Sequence, residues 1–287
     1  MSSLKEIKSR IQSVRSTRKI TSAMKMISSV KLQKAEKSIQ HLLPYENRLG
    51  QIMKDFLSNL DGNVTSGYAE VREVKRVAVV VFSSNSSLCG AFNANVIKKL
   101  NQFIDKYKHL GHKNIEIYAV GKKGKDGSNK AGFVPFHSYE ELADVPDFRA
   151  MSEITDMLMK KFLNKEIDKV KIIYHHFKSK GSQVLTQDVI LPVQLNGKGS
   201  NGYKTDFLIE PDADTLINEL IPNVLRTTMY RALLDSNASE HAARMLAMQS
   251  ATDNASDLIN DLTLQYNKTR QQAITAELLD IVGGTMR

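Results

Sequence analysis

The side chains best suited to chemistry lie in four groups: the serines and lone cysteine of SSNSSLCGAFNAN (83–95), the glycine-rich GKKGKDGSNKAG (121–132), the histidines, and the acidic pair Glu140-Glu141. A phosphate cradle at a strand-to-helix turn needs closely spaced glycines, or a Lys-Ser/Thr pair at the helix start. The first segment has only Gly90. The second has glycines but neither the P-loop spacing nor the Lys-Ser/Thr pair. His175 and His176 fall on a predicted strand, where neighbours point to opposite faces and cannot share one metal. His109 and His112 have helical spacing but adjoin Gly111, and no carboxylate pattern completes a site, so the histidines read as solvent-facing. Glu140-Glu141 and the acids of 253–261 read as solvated helix faces. A single cysteine excludes an internal disulfide framework and a four-cysteine zinc site, and Cys89 reads as a small buried residue. No catalytic, cofactor-binding or metal-ligating set is expected.

Charge is distributed unevenly. Residues 1–40 hold ten bases (Lys5, Lys8, Arg10, Arg15, Arg18, Lys19, Lys25, Lys31, Lys34, Lys37) against Glu6 and Glu36, and so carry +8 of the chain's +9. Such a stretch suits nucleic acid, an anionic membrane surface or an acidic protein partner. No aromatic residue interleaves the ten bases, which removes the stacking platform of a single-strand binder. The N-terminus has no apolar core of secretory length, and no run approaches the roughly 20 apolar residues of a membrane span. Membrane association is therefore expected only through partners.

The elements that carry these residues are mapped by glycine. All fifteen lie between Gly50 and Gly202 or at Gly283 and Gly284, leaving two long glycine-free ends around a glycine-bearing middle. At the C-terminal end Met245, Met248, Thr252, Ala255, Ile259, Leu262, Tyr266, Thr269, Ala273 and Ala276 alternate by three and four, a heptad seam. Its helix is predicted from about Asp212, with Pro222 as a kink or break and Gly283-Gly284 as the stop, about 100 Å long if continuous. At the N-terminal end Leu4, Ile7, Ile11 and Val14 alternate likewise. Apolar residues then reach Met24 and Ile27 only through Thr17 and Ile20, a stammer. This helix is predicted to run to about Leu57, kinked at Pro44. The middle alternates: VKRVAVVVF (74–82), an amphipathic FNANVIKKLNQFIDKY, NIEIYAV (114–120), MSEITDMLMKKFL (151–163), KVKIIYHHF (169–177) and SQVLTQDVILPVQL (182–195). This predicts a small Rossmann-like α/β domain with a mostly parallel sheet, and a flexible loop at 196–205. Three regions result: an N-terminal coiled-coil helix (1–58), an α/β domain (74–208) and a C-terminal coiled-coil helix (212–287). The simplest arrangement pairs the two helices antiparallel.

RKITSAMKM (18–26) and the C-terminal ASEHAARMLAMQSATDNASDLI…LTLQYNKTRQQAITAELLDIVGG strongly resemble the gamma subunit of F-type ATP synthases, the rotor's central shaft. SSLCGAFNAN is similar to a loop of that family, although SSNSS stands where an Asp-Arg pair is often found. The resemblance implies an antiparallel coiled coil inside a ring of three alpha and three beta subunits. It implies an α/β foot near the membrane rotor ring, with epsilon beside it and delta in the same complex. It implies no catalytic site and no cofactor on this chain. By position it implies beta-subunit and hexamer contacts at Met24, Lys25, Arg244, Arg270, Gln271 and Thr275, with Gln272 replacing the usual alanine. It also implies a contact of Glu210 with the membrane ring, with Ile209 replacing a tyrosine. The lack of a transit-like, Arg/Ser-rich leader favours a peripheral location on the cytoplasmic side of a bacterial inner membrane, with a processed organellar chain as the alternative. The basic N-terminal helix then faces an acidic beta-subunit loop, attracted over a Debye length of about 8 Å without deep burial. A small-residue seam keeps such a rod thin. Two rival readings predict different behaviour: a nucleic-acid-binding coiled coil would show salt-sensitive DNA affinity, and a nucleotide-using enzyme would bind nucleotide in isolation.

Overall fold

The computed structural model describes residues 3–59, 66–194 and 213–285. The loop expected at 196–205, Ile209, Glu210 and Asp212 lie outside the described residues. Helix α1 (Leu4–Asn59) is followed by β1 (Val77–Phe82), α2 (Phe92–Tyr107), β2 (Ile115–Val120), α3 (Lys122–Lys130), β3 (His137–Tyr139), α4 (Glu140–Asp144), α5 (Phe148–Leu163), β4 (Lys169–Ser179), β5 (Ser182–Leu191) and α6 (Ala213–Thr285). The chain forms two compact units: Met1–Ser29 with Arg244–Arg287, and Val30–Ala243.

The larger unit is built on one sheet in the order β3-β2-β1-β4-β5. Strand β1 pairs parallel with β2 and β4, and β2 pairs parallel with β3. Every residue of β1 is buried, as its unbroken apolar run requires of a strand covered on both faces. Its side chains alternate between two cores. Val77, Val79 and Val81 pack with Val96, Leu100, Phe103 and Ile104 of α2. Ala78, Val80 and Phe82 share the other core with Met151, Ile154 and Leu158 of α5, Met53 and Phe56 of α1, and Ile217, Ile221 and Leu225 of α6. Strand β5 runs antiparallel to β4, with Ile173 opposite Gln187. Only Lys180 and Gly181 separate the two strands, a connection too short for a parallel crossover.

The glycine-rich 121–132 segment, to which the sequence assigns no element, contains α3. Gly121 has φ +97°, and a Cβ there would lie 2.2 Å from the Ser83 carbonyl oxygen. Inside α3, a Cβ on Gly127 would meet Ile97 Cγ1 at 2.7 Å. Close packing onto β1 and α2 thus overrides poor helix propensity. Of the kink or break expected at Pro222, the break does not occur: α6 continues through the proline. Ile217, Ile221 and Leu225 are buried around the proline. Burying each of them is worth about 1.5–3 kcal/mol, which outweighs a proline cost of about 3 kcal/mol. Helix α1 likewise continues through Pro44. The stop expected at Gly283-Gly284 is passed as well, with α6 reaching Thr285.

In the smaller unit the first part of α1 packs antiparallel on the last part of α6. The Oγ1 atoms of Thr21 and Thr252 lie 2.8 Å apart. Counting away from that pair in opposite directions sets Ile11 opposite Leu262 and Ile7 opposite Tyr266, the residues that cluster with Val14. Of the expected C-terminal seam, Met248, Ala255, Ile259 and Leu262 are buried, and Met245, Thr252, Tyr266, Thr269 and Ala273 are half-buried. Ala276 is exposed. The same count places Leu4 opposite Thr269, so Ala273 and Ala276 lie past the described part of α1.

The stammer expected in α1 is absent. Ile20 and Ile27 are 60% and 59% exposed, whereas Thr21 and Ser28 are 8% and 3% exposed. The seam runs from Val14 through Thr21, Lys25 and Ser28 with unbroken spacing. A threonine can enter it because its hydroxyl bonds back into its own helix, Thr21 Oγ1 to Arg18 O at 3.1 Å and Thr252 Oγ1 to Met248 O at 2.7 Å. Apolar periodicity does not reveal such a seam residue.

Candidate functional site

Met24 and Lys25 lie on α1 in the smaller unit, each half-buried at the seam's margin. The Thr21–Thr252 register sets them level with Gln249 and Met248. Arg244, a little over one turn away on α6, is buried and has interactions of its own. Arg270, Gln271 and Thr275 are exposed on α6 about 30 Å further along it, at about 1.5 Å per residue. Thr275 donates its hydroxyl to the Gln271 carbonyl at 2.9 Å. The six positions therefore form two groups on one helix pair. Of the seven bases of 1–29, Lys5, Lys8, Arg10, Arg15, Arg18 and Lys19 are exposed and Lys25 is half-buried, and the register spreads them along the helix from the level of Lys268, beside the second group, to the first. Glu210 lies outside the described residues.

Doubly wound sheets hold ligands where the strand order reverses, outside the carboxyl ends of the strands. Here that point lies between β1 and β4, and α6 fills the space beside it. Phe82, Ser83 and Val120 meet Leu233, Ser236, Asn237 and Glu240 around a cavity of about 10 Å³, no larger than the least volume that holds one water. Asn237 Nδ2 donates to Ala143 O at 2.8 Å, and Ser239 Oγ to His175 O at 3.1 Å. The turn that follows β1 is consumed internally as well. Ser84 Oγ and Asn93 bond to each other, and Asn93 Nδ2 reaches Cys89 Sγ at 3.1 Å. Ser83 Oγ donates to Val120 O and accepts the Gly124 amide at 2.7 Å. Cys89 is buried, as its type suggested.

His109 and His112 are exposed, as expected, but the pair on β4 departs from that reading. His175 and His176 do point to opposite faces, but His175 is buried, stacks on Phe92 at 4.5 Å, and burial lowers its pKa to about 4. His176 Nδ1 lies 2.6 Å from Asp235 Oδ2. Asp235 is itself buried, and burial raises its pKa against the opposing pull of His176 and Arg231. Residues 232–242 of α6 are buried on all sides although half of them are polar. Sequence reasoning missed this stretch because a polar helix face is normally a wet one. The only signal was a run free of large side chains, DSNASEHA. Among the described residues no group of three or more potential metal ligands occurs, and no helix is long and apolar enough to cross a membrane.

The smaller unit is an antiparallel helix pair, and in the larger, α/β unit α6 fills the crevice where a doubly wound sheet holds its ligand, an arrangement of the class in which long terminal helices flank an inserted α/β domain. A family model described as ATP synthase matches residues 3–286. The ATP synthase gamma chain of Bacteroides fragilis is 56% identical over 290 residues, and that of Phocaeicola vulgatus 53% over 289, each match covering 100% of both chains. The ATP synthase gamma chain of Flavobacterium johnsoniae is 43% identical over 99% of this chain and 98% of its own. A chain of the Euglena gracilis mitochondrial ATP synthase, solved as OSCP/F1/c-ring in rotational state 3, superposes with a TM-score of 0.68 over 99% of this chain and 93% of its own. A chain of the Tetrahymena thermophila mitochondrial central stalk and c-ring gives 0.59 over 81% and 99%. At 19% and 21% identity these two likenesses concern the fold alone. The chain belongs to the ATP synthase gamma chain family, whose members are non-catalytic central-stalk subunits.

Proposed function

We propose that this chain is the rotor shaft of a bacterial F-type ATP synthase, transmitting torque between an ion-driven membrane ring and the catalytic sites of an alpha3beta3 hexamer. The helix pair of the smaller unit is a coiled coil that turns inside that hexamer. Met24 and Lys25, with Arg244 nearby, meet the acidic beta-subunit loop, and Arg270, Gln271 and Thr275 make a second contact higher on the shaft. Glu210 faces the membrane ring, epsilon docks beside the α/β domain, and delta belongs to the same complex. The assembly is peripheral to the inner membrane on its cytoplasmic side.

The observation that carries this reading is the lean seam beneath an exposed basic surface. A pair of helices held by Thr21, Ser28, Thr252 and Ala255 is thin, and its charges attract an acidic loop without a deep pocket that would hold one orientation. A rotor changes a catalytic site's affinity only by contacting its open and closed states unequally. A shaft with different residues on each side presents a different surface to each site in turn. The test is recovery of a tagged chain from its own cells. Alpha and beta subunits at three to three to one are expected; a chain recovered without them would overturn the reading.

A further inference from the structure

Lys99, Lys106 and Lys171 converge at one corner of the α/β unit. Lys171 leaves β4 on the same side as Ile173, the side covered by α2. Lys99 and Lys106 are seven residues apart on α2 and so share one side of it. Lys171 is only 9% exposed, and its Nζ sits 5.5 Å from the centre of the Tyr107 ring. An ammonium has three donors, and a ring face supplies attraction but no acceptor oxygen. The charged groups that act on Lys171 are Lys106 and Lys99. No ion pair among the described residues reaches it. Burial, and then those two like charges, hold its pKa below the ordinary lysine value.

A lysine whose stem is buried and whose ammonium meets only solvent, a ring face and two like charges is costly, and an apolar side chain over Tyr107 would serve packing better. Lys106 has a structural reason, since it lies in the last turn of α2 beside the helix's negative end. That reason does not extend to Lys99 or Lys171. Lys106 is exposed and Lys99 half-buried, so the corner is open to a small solute from outside. A multivalent oxyanion would give Lys171 the acceptors it lacks and turn the mutual repulsion of the three charges into shared attraction.

We propose that Lys99, Lys106 and Lys171 bind an oxyanion of the phosphate class, free or carried on a lipid headgroup, at the corner between α2 and β4. The test uses the full chain and two probes. In the first arm inorganic phosphate is titrated by calorimetry and by thermal melting at constant ionic strength, with chloride as the balancing salt. Saturable binding is expected, roughly tenfold weaker in Lys171→Met, as the loss of a charge-assisted hydrogen bond implies. Lys99→Gln and Lys106→Gln alter solvent-reachable positions and supply the same comparison if Lys171→Met folds poorly. In the second arm the chain is sedimented with phosphatidylcholine vesicles containing or lacking one-third phosphatidic acid. The basic 1–40 segment is unchanged in every variant, so only binding lost in the Lys99→Gln/Lys106→Gln/Lys171→Met combination belongs to this corner. Phosphate binding that weakens in the variants establishes a free anion as ligand. Vesicle binding alone, lost in the triple variant, establishes the headgroup. Absence of both, or equal binding by wild type and variants, overturns the proposal.

Discussion

Asp168 ties three segments of the α/β unit together. Its carboxylate accepts the backbone amides of Lys75 and Arg76 at 2.8 Å each and Arg72 Nε at 2.7 Å, while Arg72 reaches the Phe162 and Ile167 carbonyls. Burial alone would raise its pKa, but the two amides and the guanidinium together lower it below 3.8. A carboxyl that titrates lower when folded than when unfolded adds stability above the unfolded value, and that contribution is lost as pH falls through the folded one. Asp168→Asn is therefore expected to cost about 2–4 kcal/mol at neutral pH, since it removes the carboxylate 2.7 Å from Arg72 Nε and leaves that guanidinium only Glu70, at 3.5 Å, as a charge partner. The gap between variant and wild type should close as pH falls below about 4, which urea melts between pH 7 and pH 3 would measure. A gap that stays constant with pH would assign the loss to geometry rather than to charge. At this scale the sequence was legible where residues act through apolarity and illegible where they act through hydrogen bonds. Cys89 and the β1 valines were readable. Thr21, Ser28 and Asp168 were not, because nothing local says that a hydroxyl or carboxylate finds its partner inside.

Helix α3 shows what decides an element when local propensity is against it. Its sequence, KKGKDGSNK, would not hold a helix by itself. It is helical because glycines let its backbone approach α2 and the end of β1. Gly127→Ala is expected to cost about 1–3 kcal/mol by pushing on Ile97. Combining it with Ile97→Ala should recover part of that loss, giving a coupling above about 0.5 kcal/mol in a double-mutant cycle. Strict additivity would mean that the two helices do not touch there. The long elements were legible for the opposite reason: absence of glycine and a seam repeated over many turns are signals that no single contact can mask. Their interruptions were legible only in part: a break was one of two readings at Pro222, and α6 runs one residue past Gly284. Pro222 and Gly283-Gly284 are local punctuation, and burial on both sides of Pro222 decides against a break. The direction of β5 was available in the two-residue gap before it, whereas β3, three residues long, left no periodic trace.

For the whole molecule, composition pointed to a partner-dependent protein, and the surface of α6 says where partners are needed. Leu264, Ile274, Leu278, Leu279 and Ile281 are each between 47% and 70% exposed in the chain by itself. Counting from the Thr21–Thr252 pair, all of them but Leu264 lie past the described start of α1, where the register gives α6 no α1 residue opposite it among the described residues. Short of tertiary cover, helical segments open at low free energy, while the buried strands open only with the unit that contains them. Amide exchange across 263–281 is therefore expected to be fast in the isolated chain and slowed at least about tenfold when alpha and beta subunits are bound. Exchange in β1 and in residues 170–173 of β4 should be the same in both states, because those residues are already buried on both faces. Equal protection of 263–281 in both states would mean that the apolar face of α6 is not what the hexamer covers. The composition of that face is legible in the sequence but its cover is not, since on the proposed function the covering groups are encoded in other chains.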